Sequence, residues 1–222
     1  MNTIEKLFDE TEKPSTKWSG YFDVYEKHLG KFVGKAPKIL EIGVLGGGSI
    51  ELWLKYFGEG TKVIGVDIDP RCLQYKYDGD ATVVMGDQGS IEFWESLMSE
   101  HNDFDIIIDD GSHVMHHQII TLQQTFPHLR EGGVYICEDT HTSYWPKWGG
   151  EFRKDSSFLS YSQTITDVVN QQHFQNKIDE TVLKTFHNLY SVSYYNSMVV
   201  LEKEALKPFV IKDNSKITFK IG

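Results

Sequence analysis

Short apolar runs alternate with amphipathic segments along the chain, and most of these runs end in an acidic residue or in glycine. The runs typical of strands cover residues 38–43, 62–67, 81–85, 105–109 and 133–137. Between them, apolar residues recur at three- and four-residue spacing, which predicts helices. Strands that alternate with helices indicate an α/β fold with a mostly parallel, Rossmann-like sheet and right-handed crossovers.

The segments outside this alternation are less regular. Phe22, Tyr25 and Leu29 fall at helical spacing and predict a helix before the first strand. We expect a helix over residues 113–129 and helix-like structure over 158–174. Residues 184–192 and 195–202 alternate around Ser193 and Tyr194 and predict an antiparallel pair at the sheet edge. Residues 216–221 suggest a further strand or a frayed end.

This pattern divides the chain into three parts. Residues 1–36 form an N-terminal helical extension or lid, residues 37–204 form one α/β domain, and residues 205–222 form a C-terminal tail. A chain of 222 residues is long enough for one substantial core. The uncovered sheet edge and the short lid favour a homodimer or a higher homo-oligomer.

Charge and composition narrow the range of functions. The formal net charge is −10 and no Lys- or Arg-rich run is present, which disfavours a nucleic-acid partner. No leader or membrane-spanning segment is apparent, so we expect a soluble cytoplasmic protein without membrane insertion. Cys72 and Cys137 lie in different segments and are expected to be reduced, buried thiols.

A glycine-rich turn follows the first strand and has two functional interpretations. A dinucleotide-binding turn of the form G-x-G-x-x-G would require glycine where Leu45 stands. Glu41 is adverse beside a pyrophosphate but favourable beside the sulfonium and ammonium of S-adenosylmethionine. Gly43, Gly47 and Ser49 are therefore candidate contacts for that cofactor. The structural alternative is that the glycines serve only close packing of strand and helix.

Acids at the ends of the next strands support the cofactor interpretation. Asp67 is placed to accept from both ribose hydroxyls, and Asp87 with Gln88 could bind the adenine amino group. Each of them could instead cap the helix that follows. All three at one sheet edge favour a nucleotide-like cofactor, because ligands of open α/β sheets bind at that edge.

The chain resembles class I S-adenosylmethionine-dependent methyltransferases in Glu41-Ile42-Gly43, Asp67, the segment 86–88 and Asp109. More specifically, the segments 108–113 and 138–144 are similar to the metal-dependent sugar O-methyltransferases that act on macrolide deoxysugars and on rhamnosyl or polysaccharide units. The resemblance implies a seven-stranded methyltransferase sheet with helices on both faces. It also implies the following roles: Mg²⁺ on Asp110, Glu138 and Asp139, a general base at His113, and a cofactor site that includes Asp109.

The residue chemistry is consistent with these roles. Three carboxylates suit Mg²⁺ or another hard divalent cation, and a histidine can take a proton from a hydroxyl near neutral pH. The plain alternative is that Asp110 caps a helix and that Glu138 and Asp139 form a solvated strand end. We expect His117, which lies opposite the apolar stripe of its helix, to be exposed to solvent.

Three functions other than sugar methylation remain open from sequence. They are a methyltransferase for catechol-like phenols, a non-catalytic S-adenosylmethionine- or nucleotide-binding module of a biosynthetic complex, and, more remotely, an NAD-dependent dehydrogenase. For a methyltransferase the partner is a small-molecule or glycan acceptor. His141, Tyr144 and Trp145, in an irregular aromatic loop, are candidate acceptor contacts, although loop aromatics also serve to pin loops.

Overall fold

A mixed sheet of seven strands forms the centre of the computed structural model, which describes residues 3–175, 179–208 and 210–212. Strands β1 to β5 are parallel, and the strand order is β3-β2-β1-β4-β5-β7-β6 with β7 and β6 antiparallel. The bounds are β1 (Lys38–Ile42), β2 (Lys62–Asp67), β3 (Asp80–Met85), β4 (Phe104–Asp109), β5 (Leu129–Cys137), β6 (Leu189–Tyr195) and β7 (Met198–Lys203). The predicted α/β class and the antiparallel edge pair are confirmed.

Seven α-helices accompany the sheet in the described part of the chain. They are α1 (Thr3–Asp9), α2 (Tyr21–Leu29), α3 (Gly48–Phe57), α4 (Ile91–Glu100), α5 (Met115–Thr125), α6 (Phe158–Thr164) and α7 (Glu180–Thr185). Short 3-10 turns occupy several connections, among them Thr140–Tyr144 and Pro146–Trp148 in the aromatic loop.

Side chains of each central strand alternate between two apolar layers, so the sheet is covered on both faces. Ile39 and Ile106 pack with Trp53 of α3 in the layer that also holds α1 and α2. Leu40 and Ile107 pack in the opposite layer, which contains α4, α5 and α6. The near-continuous apolar runs seen in the sequence are thus strands buried on both faces.

The strand order reverses between β1 and β4, and this reversal positions the functional site. From β1 the chain passes outward to β2 and β3, then returns to pair β4 with the other side of β1. Ligands of open α/β sheets bind at such a switch point, outside the carboxyl ends of the strands. The carboxyl ends of β1, β4 and β5 meet there.

Local signals located several element boundaries, and others were predicted wrongly. The Ser90 hydroxyl accepts a hydrogen bond from the Phe93 amide at 3.1 Å, as expected of an N-cap. The helix expected over 113–129 spans only Met115–Thr125, and β5 already begins at Leu129, because a 3-10 turn at Phe126–His128 ends the helix.

The C-terminal pair was also wrong in detail. Residues 180–185 form α7, the first strand begins at Leu189, and the turn lies at Asn196 and Ser197, where Ser197 has φ +65°. The strand suggested for residues 216–221 lies outside the described residues. Helix α1 had no counterpart in the sequence analysis.

Two further observations concern the cysteines and the length of the helices in the described part of the chain. Cys72 and Cys137 are free and buried, as predicted. No helix in the described ranges combines the length and the apolar character that crossing a membrane requires.

Candidate functional site

A cavity of about 710 Å³ opens at the carboxyl edge of the sheet, at the switch point between β1 and β4. The N-terminal segment, the glycine turn and the loops after β2, β3, β4 and β5 all contribute to its walls. Eight of the predicted site residues line it: Gly43, Asp67, Asp87, Gln88, Asp110, His113, Glu138 and Asp139.

Backbone hydrogen bonds beyond the strand ends set the floor of this cavity. The Asp110 amide donates to the Ile42 carbonyl, and the Glu138 amide donates to the Asp109 carbonyl, both at 2.9 Å. Gly43 has φ +92°, and a Cβ atom there would lie 2.0 Å from the Asp110 carbonyl oxygen. Glycine is therefore required where the first turn crosses the loop after β4.

Asp67 fixes the shape of the glycine turn. Its carboxylate accepts from the amides of Val44, Leu45 and Asp69, each at 2.9 Å. A carboxylate has about four acceptor positions, so about one is left for another donor. Asp67 lines the cavity as predicted, and its hydrogen bonds from Val44 and Leu45 stabilise the glycine turn.

Asp109 and Gln88 form a buried connection between the loops after β3 and β4. The Gln88 amide donates to Asp109 Oδ1 at 2.6 Å, and its oxygen accepts from the Ser112 amide at 2.8 Å. The Tyr135 hydroxyl donates to Asp109 Oδ2 at 3.3 Å. Burial raises the pKa of Asp109 to about 7, against the hydrogen bonds from Gly111 and Gln88. The predicted cofactor roles of Asp109 and Gln88 stay predictions, and the contacts seen here are structural.

Glu41 and Ser49 are buried behind the glycine turn. The Trp53 indole donates to Glu41 Oε1 at 3.2 Å, and burial raises the pKa of Glu41 to about 7. A Cβ atom on Gly47 would lie 2.6 Å from the Tyr77 hydroxyl. Asp87 is exposed at the cavity rim and accepts from the Gly89 amide at 2.8 Å. These four residues keep their cofactor roles as predictions.

Asp110, His113 and Asp139 converge closely enough to hold one metal ion. One potential ligand atom from each side chain lies within 4.8 Å of the others. Among the His, Cys, Asp and Glu side chains of the described residues, these three form the group that is close enough to hold a metal ion. His113 Nε2 is 3.5 Å from Asp139 Oδ2. His113 and Asp139 have φ +58° and +53°, a backbone region that costs energy for residues other than glycine and is common at functional sites.

Glu138 adjoins this cluster but has other partners. The Tyr25 hydroxyl donates to Glu138 Oε1 at 2.5 Å, and the Lys17 ammonium donates to Glu138 Oε2 at 2.8 Å and to Asp110 Oδ2 at 2.6 Å. Burial alone would lower the pKa of Lys17, but Asp110 and Glu138 outweigh burial and raise it well above its ordinary value. Lys17 therefore bridges the side chains of Asp110 and Glu138, and burial together with the nearby Asp110 raises the pKa of Glu138 to about 8.

Asp139 is held from the N-terminal side as well. The Tyr21 hydroxyl and the Trp18 indole both contact Asp139 Oδ1, at 2.6 and 3.1 Å. Tyr21 also contacts the Ser197 hydroxyl at 2.8 Å, which ties α2 to the turn between β6 and β7. The predicted lid thus supplies several direct contacts to the acids.

Sequence reasoning missed several contributors to the cavity, among them His117, Lys17, Trp18 and Tyr21. His117 was expected to be exposed, but it is half-buried, lines the cavity, and its Nδ1 lies 2.9 Å from the Ser112 hydroxyl. Lys17 was not singled out, since a lysine in an irregular N-terminal segment gives no local signal. Tyr21 and Tyr25, four residues apart on α2, were the available hint of a polar helix face.

The predicted acceptor residues lie beside a second cavity of about 760 Å³. His141 and Trp145 line it with Trp18, which also lines the first cavity. The ring centroids of His141 and Trp145 are 4.5 Å apart. Tyr144 is exposed and stacks on Phe152 instead. His141 and Trp145 therefore adjoin the site, whereas Tyr144 is turned toward another loop residue.

Comparison with known proteins places this geometry in a family. No family model matches the chain. L-olivosyl-oleandolide 3-O-methyltransferase from Streptomyces antibioticus is 36% identical over 177 residues, which is 74% of this chain and 45% of that protein. A Streptomyces olivaceus 8-demethyl-8-alpha-L-rhamnosyl tetracenomycin-C 2'-O-methyltransferase is 31% identical over 86% of this chain and 52% of that protein. The chain spans about half the length of these curated relatives.

Solved structures agree with the curated relatives. MycE methyltransferase from the mycinamycin biosynthetic pathway, in complex with Mg and SAH, matches with a TM-score of 0.79 and 27% identity, over 91% of this chain and 55% of that one. A putative caffeoyl-CoA O-methyltransferase from Staphylococcus aureus matches with a TM-score of 0.52 and 13% identity, over 92% and 93% of the chains, which shows the fold alone. The chain belongs to the class I S-adenosylmethionine-dependent methyltransferases and is related to their sugar O-methyltransferases.

Proposed function

We propose that this chain transfers the methyl group of S-adenosylmethionine to a hydroxyl of a sugar, with the help of a divalent cation. The observation that carries the proposal is the convergence of Asp110, His113 and Asp139 in a cavity at the switch point of a methyltransferase sheet. The relatives support it, since those reported above are O-methyltransferases of macrolide or tetracenomycin glycosides.

The first cavity suits S-adenosylmethionine. Its volume of about 710 Å³ is within the range of small-molecule sites. The open turn after β1 is free of side chains at Gly43, and Asp67 at the end of β2 retains acceptor capacity for a ribose hydroxyl. The acids beyond β4 and β5 would face a cofactor that carries positive charge at sulfur. These features favour a sulfonium cofactor over a dinucleotide.

The donor set suits a hard cation such as Mg²⁺. Asp110 and Asp139 offer carboxylate oxygens, and Glu138 directly precedes Asp139 at the end of β5. His113 Nδ1 is buried and has no hydrogen-bond partner among the described residues, which fits a site that takes up further groups. When bound, the cation would make a coordinated sugar hydroxyl more acidic.

His113 is the candidate general base. Its imidazole stands beside Asp110 and Asp139, where a hydroxyl held by the acids would lie within reach of a ring nitrogen. Asp139 orients the ring through the 3.5 Å contact, and Thr142 fixes the loop by donating to the His113 carbonyl at 3.1 Å. With S-adenosylmethionine bound, these residues would hold the deprotonated oxygen in line with the methyl–sulfur bond, which breaks to release S-adenosylhomocysteine as the oxygen–methyl bond forms, so the chain contributes mainly positioning.

The aromatic wall beside the acids suits a sugar acceptor. Trp18 is 61% exposed and Trp145 is 46% exposed, so both can stack on the apolar face of a pyranose. Trp18 belongs to both cavities and donates to Asp139. A glycoside methylated at the first cavity would extend past Trp18 toward His141 and Trp145.

Transfer of a labelled methyl group from S-adenosylmethionine to a panel of glycosides and catechols tests the proposal. We expect turnover of glycosides that EDTA abolishes and Mg²⁺ restores. Turnover of catechols without glycosides would establish the phenol alternative. Binding of S-adenosylhomocysteine with no transfer to any acceptor would favour the non-catalytic module. Oligomeric state and cytoplasmic location remain predictions.

A further inference from the structure

The Lys17 side chain is buried inside the acid cluster, with only 1% of its surface exposed. Its ammonium joins Asp110 on the loop after β4 to Glu138 at the end of β5, with N···O distances of 2.6 and 2.8 Å. These two acids are members of the cation site in the proposed function. The ammonium therefore bridges oxygens of two acids that belong to the proposed cation site.

Glu138 has no oxygen free of a close partner. Tyr25 holds Oε1 at 2.5 Å and Lys17 holds Oε2 at 2.8 Å. Mg²⁺ binds oxygen at about 2.1 Å, so a cation shared by Asp110 and Glu138 would occupy the space where the ammonium lies. A divalent cation and the Lys17 ammonium would repel each other strongly there, because the site is buried.

The segment that carries Lys17 also lies across the glycine turn. The Gly48 amide donates to the Pro14 carbonyl at 3.2 Å, and the Glu12 and Lys13 amides donate to the Glu51 carboxylate, both at 3.0 Å. A Cβ atom on Gly46 would lie 2.2 Å from the Pro14 carbonyl oxygen. The segment of residues 12–18 is thus fixed to α3 at one end and to the acids at the other.

We propose that Lys17 is a built-in competitor of the divalent cation. In the cation-free protein its ammonium pairs with Asp110 and Glu138, and binding of the cation displaces the ammonium from these two side chains. This inference rests on the proposed cation site. It makes occupation of Asp110 and Glu138 by the metal and by the ammonium mutually exclusive, and so couples cation binding to Lys17, which lines the cofactor cavity.

Two measurements with Mn²⁺ as the probe test the competition in the full chain. Affinity is measured by calorimetry for the wild type, for Lys17→Met, and for Lys13→Met as the matched control on the same segment. Lys13 approaches Glu51 at 3.9 Å and the Tyr77 ring at 5.2 Å, away from the acids. We expect Lys17→Met to bind Mn²⁺ about tenfold or more tightly than the wild type, and Lys13→Met to match the wild type within about twofold.

Lys17→Met could raise the affinity for Mn²⁺ merely by removing a nearby positive charge. Acetylation of Lys17 in the wild type therefore tests whether Mn²⁺ displaces the ammonium. Lys17 should resist an amine-reactive acetyl ester without Mn²⁺ and be modified at least about tenfold faster with saturating Mn²⁺, relative to the exposed Lys147 read by mass spectrometry. If Lys17 stays protected in saturating Mn²⁺, the competition is refuted.

The outcome also separates this inference from the proposed function. If Mn²⁺ binds the wild type, is lost in Asp110→Asn, and leaves Lys17 protected, the cation site stands and the competition alone fails. If neither the wild type nor Lys17→Met binds Mn²⁺, the cation leaves the proposed function and the competition fails with it.

Discussion

Replacement of Glu41 by glutamine should stabilise the protein in a pH-dependent manner. Glu41 is fully buried beside Trp53, and burial raises its pKa from the usual 4.5 to about 7 despite the Lys17 charge. A folded-state pKa above the unfolded value means that the neutral carboxyl is favoured on folding. This contribution is complete below pH 4.5 and is lost as the pH rises through 7.

The size of the effect follows from that shift. Each unit of pKa corresponds to about 1.4 kcal/mol, so the ionised Glu41 costs the folded state about 3 kcal/mol above neutral pH. Glutamine keeps the shape and an acceptor for the Trp53 indole but carries no charge. Glu41→Gln should therefore match the wild type near pH 4.5 and exceed its free energy of unfolding by about 3 kcal/mol at pH 8.5.

Urea denaturation at pH 4.5, 6 and 8.5, in EDTA, measures the difference. Glu95→Gln on the exposed face of α4 is the matched control, and it should change the free energy of unfolding by about 0.5 kcal/mol or less at each pH. A constant difference between Glu41→Gln and wild type across this range would refute the reasoning, as would a variant less stable at pH 8.5.

Three further substitutions test the site and its frame. His113→Ala should lower methyl transfer by about two to four orders of magnitude while calorimetry still detects S-adenosylhomocysteine, and exposed His116→Ala should stay near wild type. Gly43→Ala should cost about 3 kcal/mol or more in urea unfolding because its Cβ meets a backbone carbonyl at 2.0 Å; Gly20→Ala, with nothing within 4 Å, should be near neutral. Ser90→Ala should cost about 1 kcal/mol by the same assay, and no loss would argue against the cap.

The sheet was predictable because its signals are local. Apolar runs that mostly end in an acid or in glycine predicted the five parallel strands. The acids after β4 and β5 could be placed together, since parallel strands deliver their carboxyl ends to one edge. The start positions of some elements were predicted wrongly. For example, β6 begins at Leu189 rather than at residue 184.

The partners of the acids could not be predicted, because they lie far away along the chain. Lys17 is 93 residues from Asp110 and 121 from Glu138, and no spacing rule joins an irregular segment to a strand end. The same holds for Tyr25, whose hydroxyl meets Glu138 only because α2 crosses the end of β5. Long-range packing therefore decides which carboxylates are free for a ligand. The sequence shows only which carboxylates follow the strands.

Helix α2 meets the acids with two tyrosines one turn apart. Tyr21 contacts Asp139 and Tyr25 contacts Glu138, so successive turns of the helix reach successive residues beyond β5. An α-helix advances about 100° per residue, and one inserted residue between the two tyrosines would rotate one hydroxyl away from its acid. The site therefore depends on how α2 is rotated about its own axis. A change of helix length between the two tyrosines would alter the hydrogen bonds of Glu138 and Asp139 without substituting either acid.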